Sequence, residues 1–576
     1  MSSMKTEWAI PAPVSSAAVS AIARANGIKH PLVAQVLRSR GLVGEDLAAY
    51  LSPDLSRLED PGKLGNIEAA ARVLEEAIRS ERSIRVYTDY DGDGVTGGAL
   101  MVSYLRSRGA KADFFVPLRE SGYGVTRDGI DRMAADPHGI PEVMVTVDCG
   151  TSSRKEIDYL RGLGVNEVVV TDHHPPVAGK ETQGIVVNPH RPGDAYPNKS
   201  LAGVGVAYKL ISAMHGSQPT ANLDLVAIGT ITDVMRLTGE NRAIVRAGLE
   251  RLAHTKRPGL AALLAVSKIA EVPCPHGIGG TCRAVTAEQV AFAVGPAINA
   301  IGRMEVDPAN AIDLMLTKDP AEAYRLARLL ADTNELRKER TKKVVDEALA
   351  VIVPDAPVIV YQGEVFKGLA GLVANRLVSE FARPVIVIDQ EGHGSARSFE
   401  DFDLKAALQT DFSDLVVAAG HGQAMGISGL TDIDELRLRI AAYDWPFEVG
   451  RRKIRVDAVC RLSDLSQELM TALKVLEPTG KGNEKALVAV SGAEVTAVRP
   501  FGKDGRHVLF DLIDSSGATR EAKWFGHAQD APAVGAVVDV AGRPSLQRDW
   551  RTGRDAVQIE VEDVRPTAER LAPTIS

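Results

Sequence analysis

Polar, potentially metal-binding side chains recur at four places where the chain leaves an apolar run: Asp89, Asp91 and Asp93 in DYDGDG; Asp148 in VDCG; Asp172-His173-His174 in TDHH; and Asn188 in NPH. Taken singly, an Asp-x-Asp-x-Asp loop is ordinarily a solvated turn, and a His-His pair is ordinarily a packing feature. Their joint placement is what carries the inference. Several carboxylates gathered in one crevice repel each other and shift strongly in pKa unless cations neutralise them. Oxygen-rich donor sets with one or two imidazoles suit Mg²⁺ or Mn²⁺, and with no cysteine among the ligands a structural zinc site is not expected. Two such ions about 4 Å apart clamp a phosphoryl group and activate water for in-line attack.

Gathering these residues requires a sheet. Ile84–Thr88, Val143–Val147, Glu167–Thr171 and Ile185–Val187 are short apolar runs separated by helical patterns, the signature of buried parallel strands in a doubly wound sheet. In open α/β sheets ligands bind beyond the carboxyl ends of the strands, so the polar residues should converge there. The spacing predicts a helical lead-in over 1–80 and the metal-bearing α/β domain over 81–318. A long charged connector helix follows over 319–352, and a second, smaller α/β domain over 353–450 that opens on PVIVY. From 451 to 576 short β-like runs with Gly-rich turns (LVAVSGAEVTAV, HVLFDLID, AVVDVAGR) predict an OB-type barrel.

Composition narrows the class. The chain has 576 residues, 45% hydrophobic and 25% charged, which suits three to five soluble domains and excludes fibrous and disordered classes. No apolar run reaches the roughly 18 residues of a membrane span. Glu7, Trp8 and two prolines spoil a signal-peptide core near the N-terminus, so no membrane association and a cytoplasmic location are expected. Four cysteines cannot form a disulfide framework in such a chain. The net charge of −8 excludes coating of nucleic acid over the whole surface. The bias is uneven, because residues 451–576 hold 19 Lys+Arg against 18 Asp+Glu and the first 450 carry a net −9.

The set DYDGDG (89–94), VDCGTS (147–152), TDHH (171–174) and SLAGVGV (200–206) resembles the DHH phosphoesterase superfamily, and within it the RecJ-type single-strand-specific 5′→3′ exonucleases. The likeness extends through AIGTITDV (227–234), GPAINAIGR (295–303), GSARS (394–398), Gly420-His421 and LEPTGKGN (476–483), about residues 30–565 in all. The resemblance implies a DHH domain, a DHHA1 substrate-binding domain and an OB-type module. It implies two Mn²⁺ or Mg²⁺ ions held by Asp89, Asp91, Asp93, Asp148, His173 and Asp233, with Asp148 bridging and His174 beside the scissile phosphate. Arg119 would face the DNA, Asn299 and Arg303 would close the channel, and Ser395, Arg397 and His421 would grip phosphates near the 5′ end. It further implies a monomer releasing 5′-mononucleotides in recombination and repair, alongside single-strand-binding protein and a RecQ-type helicase.

The chain departs from the family pattern at Phe366-Lys367-Gly368, where a His usually precedes the Lys/Gln-Gly, at Ala419, at Ala424-Met425 and at Arg236. Cys274-Pro-His276 with Cys282 lacks a fourth ligand for zinc, and GVGVA at 203–207 lacks a dinucleotide fingerprint and suits a closely packed helix start. Trp524 and Trp550 are candidates for base stacking, though a barrel Trp is more often core. Two other functions share some of these features. A DHH phosphodiesterase of short oligonucleotides or cyclic dinucleotides would need no β module. A catalytically silent single-strand-binding scaffold would lack the metal ligands, and here they are all present.

Overall fold

The computed structural model describes residues 5–273, 281–353, 356–400, 402–447, 451–548, 555–568, 571 and 573–575. The chain divides into two units: Asp54–Val449 with Gly480–Gly482, and Met1–Pro53 with Gly450–Thr479 and Asn483–Ser576.

In the larger unit, helix α1 (Ile67–Arg79) leads into β1 (Ser83–Thr88), and helix α2 (Gly92–Ser107) follows. Strands β2 (Lys111–Phe115), β3 (Val143–Val147), β4 (Glu167–Thr171) and β5 (Ile185–Val187) complete a parallel sheet in the order β2-β1-β3-β4-β5. Ile84 pairs with Val143, Val145 with Val169 and Val170 with Val186. One face packs Val86, Val145 and Val169 against α2 and against helices α3 (Gly203–His215) and α4 (Leu223–Thr232). The other packs Tyr87, Met144, Val168 and Val170 against Ile157 and Leu160. Apolar side chains on both faces are why the strands read as continuous apolar runs. The edge strand β2 escapes that pattern because only Ala112 of its five residues is fully buried.

Helix α5 (Gly295–Arg303) precedes the 32-residue helix α6 (Pro320–Val351). Leu326, Ala327 and Leu330 of α6 join the core of the parallel sheet, while Val344, Val345 and Ala348 join a second core. A helix that looks polar on most faces in sequence thus carries two separate apolar patches. The second core belongs to a mixed sheet of β6 (Ile359–Gln362), β7 (Val385–Ile388), β8 (Gly394–Arg397), β9 (Val417–His421) and β10 (Ala424–Ser428), ordered β9-β10-β8-β7-β6. Helix α7 (Ala370–Phe381) packs on it.

In the smaller unit five strands, Val488–Phe501, His507–Ile513, Thr519–Trp524, Val537–Arg548 and Asp555–Pro566, close into a barrel, the first pairing with both the second and the fourth. This is an OB-type β-barrel. Its core includes Val33, Leu37 and Leu47 of the N-terminal helices. Strand Lys5–Ala9 pairs with Arg451–Arg455. The stretch 1–80 is therefore shared between the units, with a strand at its start that the helical pattern does not reveal. No helix of the described residues is long and apolar enough to cross a membrane.

Candidate metal and phosphate site

The chain leaves β1 for β2 on one side of the sheet and later crosses to β3 on the other. A crevice opens at such a switch point. Asp89 follows β1 and Asp148 follows β3, so their carboxylates flank it. Each strand end is pinned one residue further than the ladder, with the N–H of Asp89 donating to the Val147 carbonyl (3.3 Å) and that of Asp148 to Thr171 (2.9 Å). Asp148 sits at φ 64°, a left-handed conformation that a β-carbon disfavours by roughly 1–2 kcal/mol and that the packing holds.

The loop between β1 and α2 aims its acids by capping. The Asp91 carboxylate accepts the N–H groups of Asp93 (3.0 Å) and Gly94 (3.2 Å) as the N-cap of α2. Asp93 instead accepts the N–H groups of Gly203 (2.6 Å) and Val204 (2.8 Å) at the start of α3, where the helix dipole favours an anion. A β-carbon on Gly203 would stand 2.5 Å from Asp148 Cβ and Oδ1, so only glycine permits this approach. The Gly-Val-Gly segment is thus a close-packed helix start that receives a carboxylate. Asn299 Oδ1 accepts the Gly92 N–H at 2.6 Å and steadies the same loop.

His173 Nε2 lies 3.1 Å from Asp148 Oδ1, 3.4 Å from Asp233 Oδ2 and 3.8 Å from Asp93 Oδ2, with Asp233 placed by the end of α4. Four buried atoms here, Asp89 Oδ1, Asp148 Oδ1, Asp233 Oδ2 and His173 Nε2, have no hydrogen-bond partner. A buried polar atom left so costs about 1–3 kcal/mol, so four in one crevice mark a place built for a ligand. The donors form overlapping sets whose atoms lie within 4.8 Å of one another: Asp89, Asp91 and Asp148; Asp93, His173 and Asp233; Asp148, His173 and His174. Each set can hold a metal ion, and Asp148 belongs to two of them. Burial and then mutual repulsion push Asp89, Asp148 and Asp233 well above the carboxylate range. The same causes bring Asp93 to about 7, against the two N–H groups of α3.

Beside them His174 Nδ1 is 2.9 Å from Asp172 Oδ1 and 2.7 Å from the Tyr123 hydroxyl. Burial alone would lower its pKa, but the Asp172 carboxylate raises it to about 9. His173 goes the other way, to about 4, through burial and the neighbouring His174 charge. Burial works against the Asp172 charge too, yet His174, His173 and the Thr151 N–H keep it below the usual range.

Two residues at the strand ends prove not to be free for a metal. Asp172 is occupied by His174 and by the N–H groups of Thr151, His173 and His174. Asn188 donates to Thr151 Oγ1 (2.7 Å) and the His174 carbonyl (2.9 Å) and accepts the His190 N–H (2.7 Å), so it positions the His-His turn. Tyr123 was not among the sequence candidates. Its only signal is a tyrosine between two glycines, which says nothing about a histidine 51 residues away. Lys481, whose charge favours ionised Asp233, lies within the LEPTGKGN likeness, which by itself gave it no role; its carbonyl accepts the Leu237 N–H at 2.8 Å.

Cations occupy the approach from the second domain. The Arg119 guanidinium lies 5.2 Å over the Tyr90 ring. Arg303 ends α5, donates to the Gly368 carbonyl (3.2 Å), and is pushed down to about 10 by burial and Arg119. Arg397 on β8 donates to the Ala396 carbonyl (2.8 Å) and is lowered by burial and then by Arg119. Gly371, in the first turn of α7, leaves room for the Arg397 guanidinium, with Ser395 Oγ alongside. None of the three arginines forms an ion pair among the described residues. His421 ends β9 and its side chain lies outside what the structure describes; Cys274, His276 and Trp550 lie outside the described residues altogether. Trp524 is buried in the barrel core and stacks on His527 at 4.4 Å, leaving no exposed platform.

A parallel sheet with a carboxylate and histidine cluster at its switch point, joined by a long helix to a second domain that presents Arg397, defines a DHH-type phosphoesterase. Residues 83–230 match the DHH family N-terminal domain and residues 456–563 the RecJ OB domain. The single-stranded-DNA-specific exonuclease RecJ of Bacillus subtilis is 33% identical over 551 residues, 92% of this chain and 68% of its own length. That of Thermus thermophilus is 34% identical over 528 residues, 89% and 72%. The crystal structure of Thermus thermophilus RecJ in complex with Mn²⁺ superposes with a TM-score of 0.81 at 30% identity, covering 97% of this chain and 80% of that one. The chain belongs to the RecJ family of exonucleases.

Proposed function

We propose that this protein hydrolyses the phosphodiester bonds of single-stranded DNA from the 5′ end and releases 5′-mononucleotides. The observation that carries the reading is the convergence of four unpartnered buried donor atoms from Asp89, Asp148, His173 and Asp233. Solved RecJ structures are complexes with Mn²⁺ and with Mg²⁺, and the donor set here fits either ion. Asp89, Asp91, Asp93, Asp148, His173 and Asp233 would hold two, which when bound supply Lewis-acid polarisation of the phosphate and an activated water. The chain's own groups do the rest. His174, kept protonated by Asp172 and oriented by Tyr123, donates a hydrogen bond to a phosphate oxygen. Arg119, Arg303 and Arg397, with Ser395 and His421, bind the strand on its 5′ side, since guanidinium forks match phosphate oxygens. Asn299 acts through the Gly92 N–H as a positioning residue.

The divisions 81–318, 319–352, 353–450 and 451–576 then serve as catalytic domain, spacer, 5′-end grip and strand-binding barrel. We assign the protein to the cytoplasm as a monomer, handing on strands exposed by a RecQ-type helicase and covered by single-strand-binding protein. Digestion of 5′- and 3′-labelled single strands and matching duplexes with Mn²⁺, Mg²⁺ or EDTA tests the reading. Loss of the 5′ label as mononucleotide, from single strands and only with metal, is expected; attack from the 3′ end or on duplex ends overturns it.

A further inference from the structure

At one end of the barrel three rings gather on the outside. Phe501 and His507 are paired across the first and second barrel strands with ring centroids 5.2 Å apart. Phe525, just past the third strand, lies 5.6 Å from Phe501 and 5.4 Å from His507. The rings meet tilted or edge-on, and Phe525 is 53% exposed. Its neighbour Trp524 is 6% exposed in the core, and the alternation of side chains at the strand end leaves Phe525 outside. His507 Nδ1 accepts the Gly526 N–H at 2.9 Å, which ties the ring to the end of the third strand. Scattered single apolar residues on a surface need no explanation. A three-ring cluster held by a backbone hydrogen bond does.

We propose that Phe501, His507 and Phe525 form a stacking platform for bases of the single strand, a reading that rests on the proposed exonuclease function. OB barrels bind oligonucleotides along their second and third strands and the loop joining the first and second. Here those parts are His507–Ile513, Thr519–Trp524 and the turn 502–506. The turn carries Lys503 and Arg506, and the next outward row across the strands holds Arg499, Leu509 and Lys523. Charge is nevertheless not the main attraction. Arg499 is engaged by Asp511 (2.8 Å) and Glu521 (3.3 Å), and Arg506 by Asp504 (2.7 Å). With two of the four cations matched by carboxylates and Phe525 standing exposed beside two half-buried rings, the surface binds through the π-faces of bases, without sequence preference.

The test uses the full-length protein carrying Phe501→Ala and Phe525→Ala together, and Phe525→Trp. Affinity for a labelled 30-nucleotide strand is measured by anisotropy in a Asp148→Ala background across salt. Hydrolysis of a six-nucleotide strand is followed in the otherwise wild-type enzyme. The double variant should bind the long strand about 10–100-fold more weakly, with an unchanged slope of log Kd against log salt and unchanged short-strand turnover. Phe525→Trp, which keeps an aromatic face at that position, should bind the long strand at least as tightly as the wild type. A loss below twofold overturns the platform and leaves a protein surface as the cluster's use. So does an equal loss on the short strand, or a slope that falls. Failure of the function itself looks different, because wild-type protein would then leave single strands intact.

Discussion

Gly203→Ala is the substitution that most directly probes how the centre is built. The new β-carbon would lie 2.5 Å from Asp148 Cβ and Oδ1 and 2.7 Å from Cγ, about 1 Å inside ordinary carbon contact. Neither partner yields easily. Gly203 is held by its N–H on Asp93 at 2.6 Å, and Asp148 by its N–H on Thr171 at 2.9 Å in a left-handed conformation. The relief is a shift of Asp148 by most of an ångström. Misplacement on that scale costs about 10²-fold in turnover, and disturbed metal ligation about 10–100-fold in metal affinity. Stability should change little by comparison: overpacking costs about 1–3 kcal/mol, and glycine to alanine in a helix returns about 1 kcal/mol. Gly205→Ala, two residues on in the same helix, is the control, since its β-carbon meets only the tip of Leu201 at 3.2 Å. The assay is kcat on a labelled single strand over a Mn²⁺ titration, with thermal unfolding alongside. Wild-type kcat and metal requirement in Gly203→Ala, or equal losses in Gly205→Ala, would refute the reasoning.

Asp148→Ala should lower turnover by three or more orders of magnitude, the several kcal/mol that a shared ligand position supplies. Because burial and repulsion already disfavour the Asp148 charge, Asp148→Asn should melt higher than wild type in EDTA; an unchanged or lower Tm would contradict the electrostatics. Lys209, wholly buried, pairs with Glu240 at 2.9 Å and donates to the Glu59 carbonyl at 2.7 Å. Lys209→Met should cost about 3–5 kcal/mol in urea unfolding, and adding Glu240→Leu should not recover it, because the Glu240 carboxylate also accepts from Tyr196, Asn198 and the Glu59 N–H. Arg397→Ala should raise KM for 5′-phosphorylated strands about 10–100-fold, as expected for losing a hydrogen bond to a charged group, and far less for 5′-hydroxyl strands. Equal effects on both substrates would remove Arg397 from 5′-end recognition.

Most of the scaffold was legible because buried parallel strands are apolar on both faces and leave no ambiguity of period. β1, β3, β4 and β5 lie where the apolar runs place them. β2 was missed because an edge strand with one fully buried residue has no such run, and Lys5–Ala9 because its partner strand is 446 residues away. At the site, sequence supplied the acids but not their division of labour. Asp89 and Asp172 both follow a strand, yet one is left with an unpartnered oxygen while the other is saturated by backbone N–H groups and His174. That distinction depends on which turn each residue enters. Residue type does not encode it. Tyr123 and Lys481 arrive from loops whose approach only the folded chain determines.

The site's charges also explain how a chain of net −8 handles DNA. Asp89, Asp91, Asp93, Asp148 and Asp233 share a crevice, and a phosphate brought near them would be repelled. Repulsion among these acids is what raises their pKa values, and it would act on a phosphate through the same poorly solvated space. Two dications and the protonated His174 would bring five carboxylates to near neutrality. Arg119, Arg303 and Arg397, which have no carboxylate in ion-pair contact among the described residues, then dominate the local field. Strand binding at the catalytic centre should therefore require the divalent ions even where no hydrolysis follows. The arginines do feel these charges, since Arg119 acts on Asp89 and Asp91 acts on Arg303, but three guanidiniums do not offset five carboxylates that touch the scissile position. With every metal ligand intact and a five-nucleotide strand whose backbone resists hydrolysis, Mn²⁺ should tighten binding by at least tenfold over EDTA. A strand this short bound equally well in EDTA would show that the arginines suffice and that the acids do not gate the crevice.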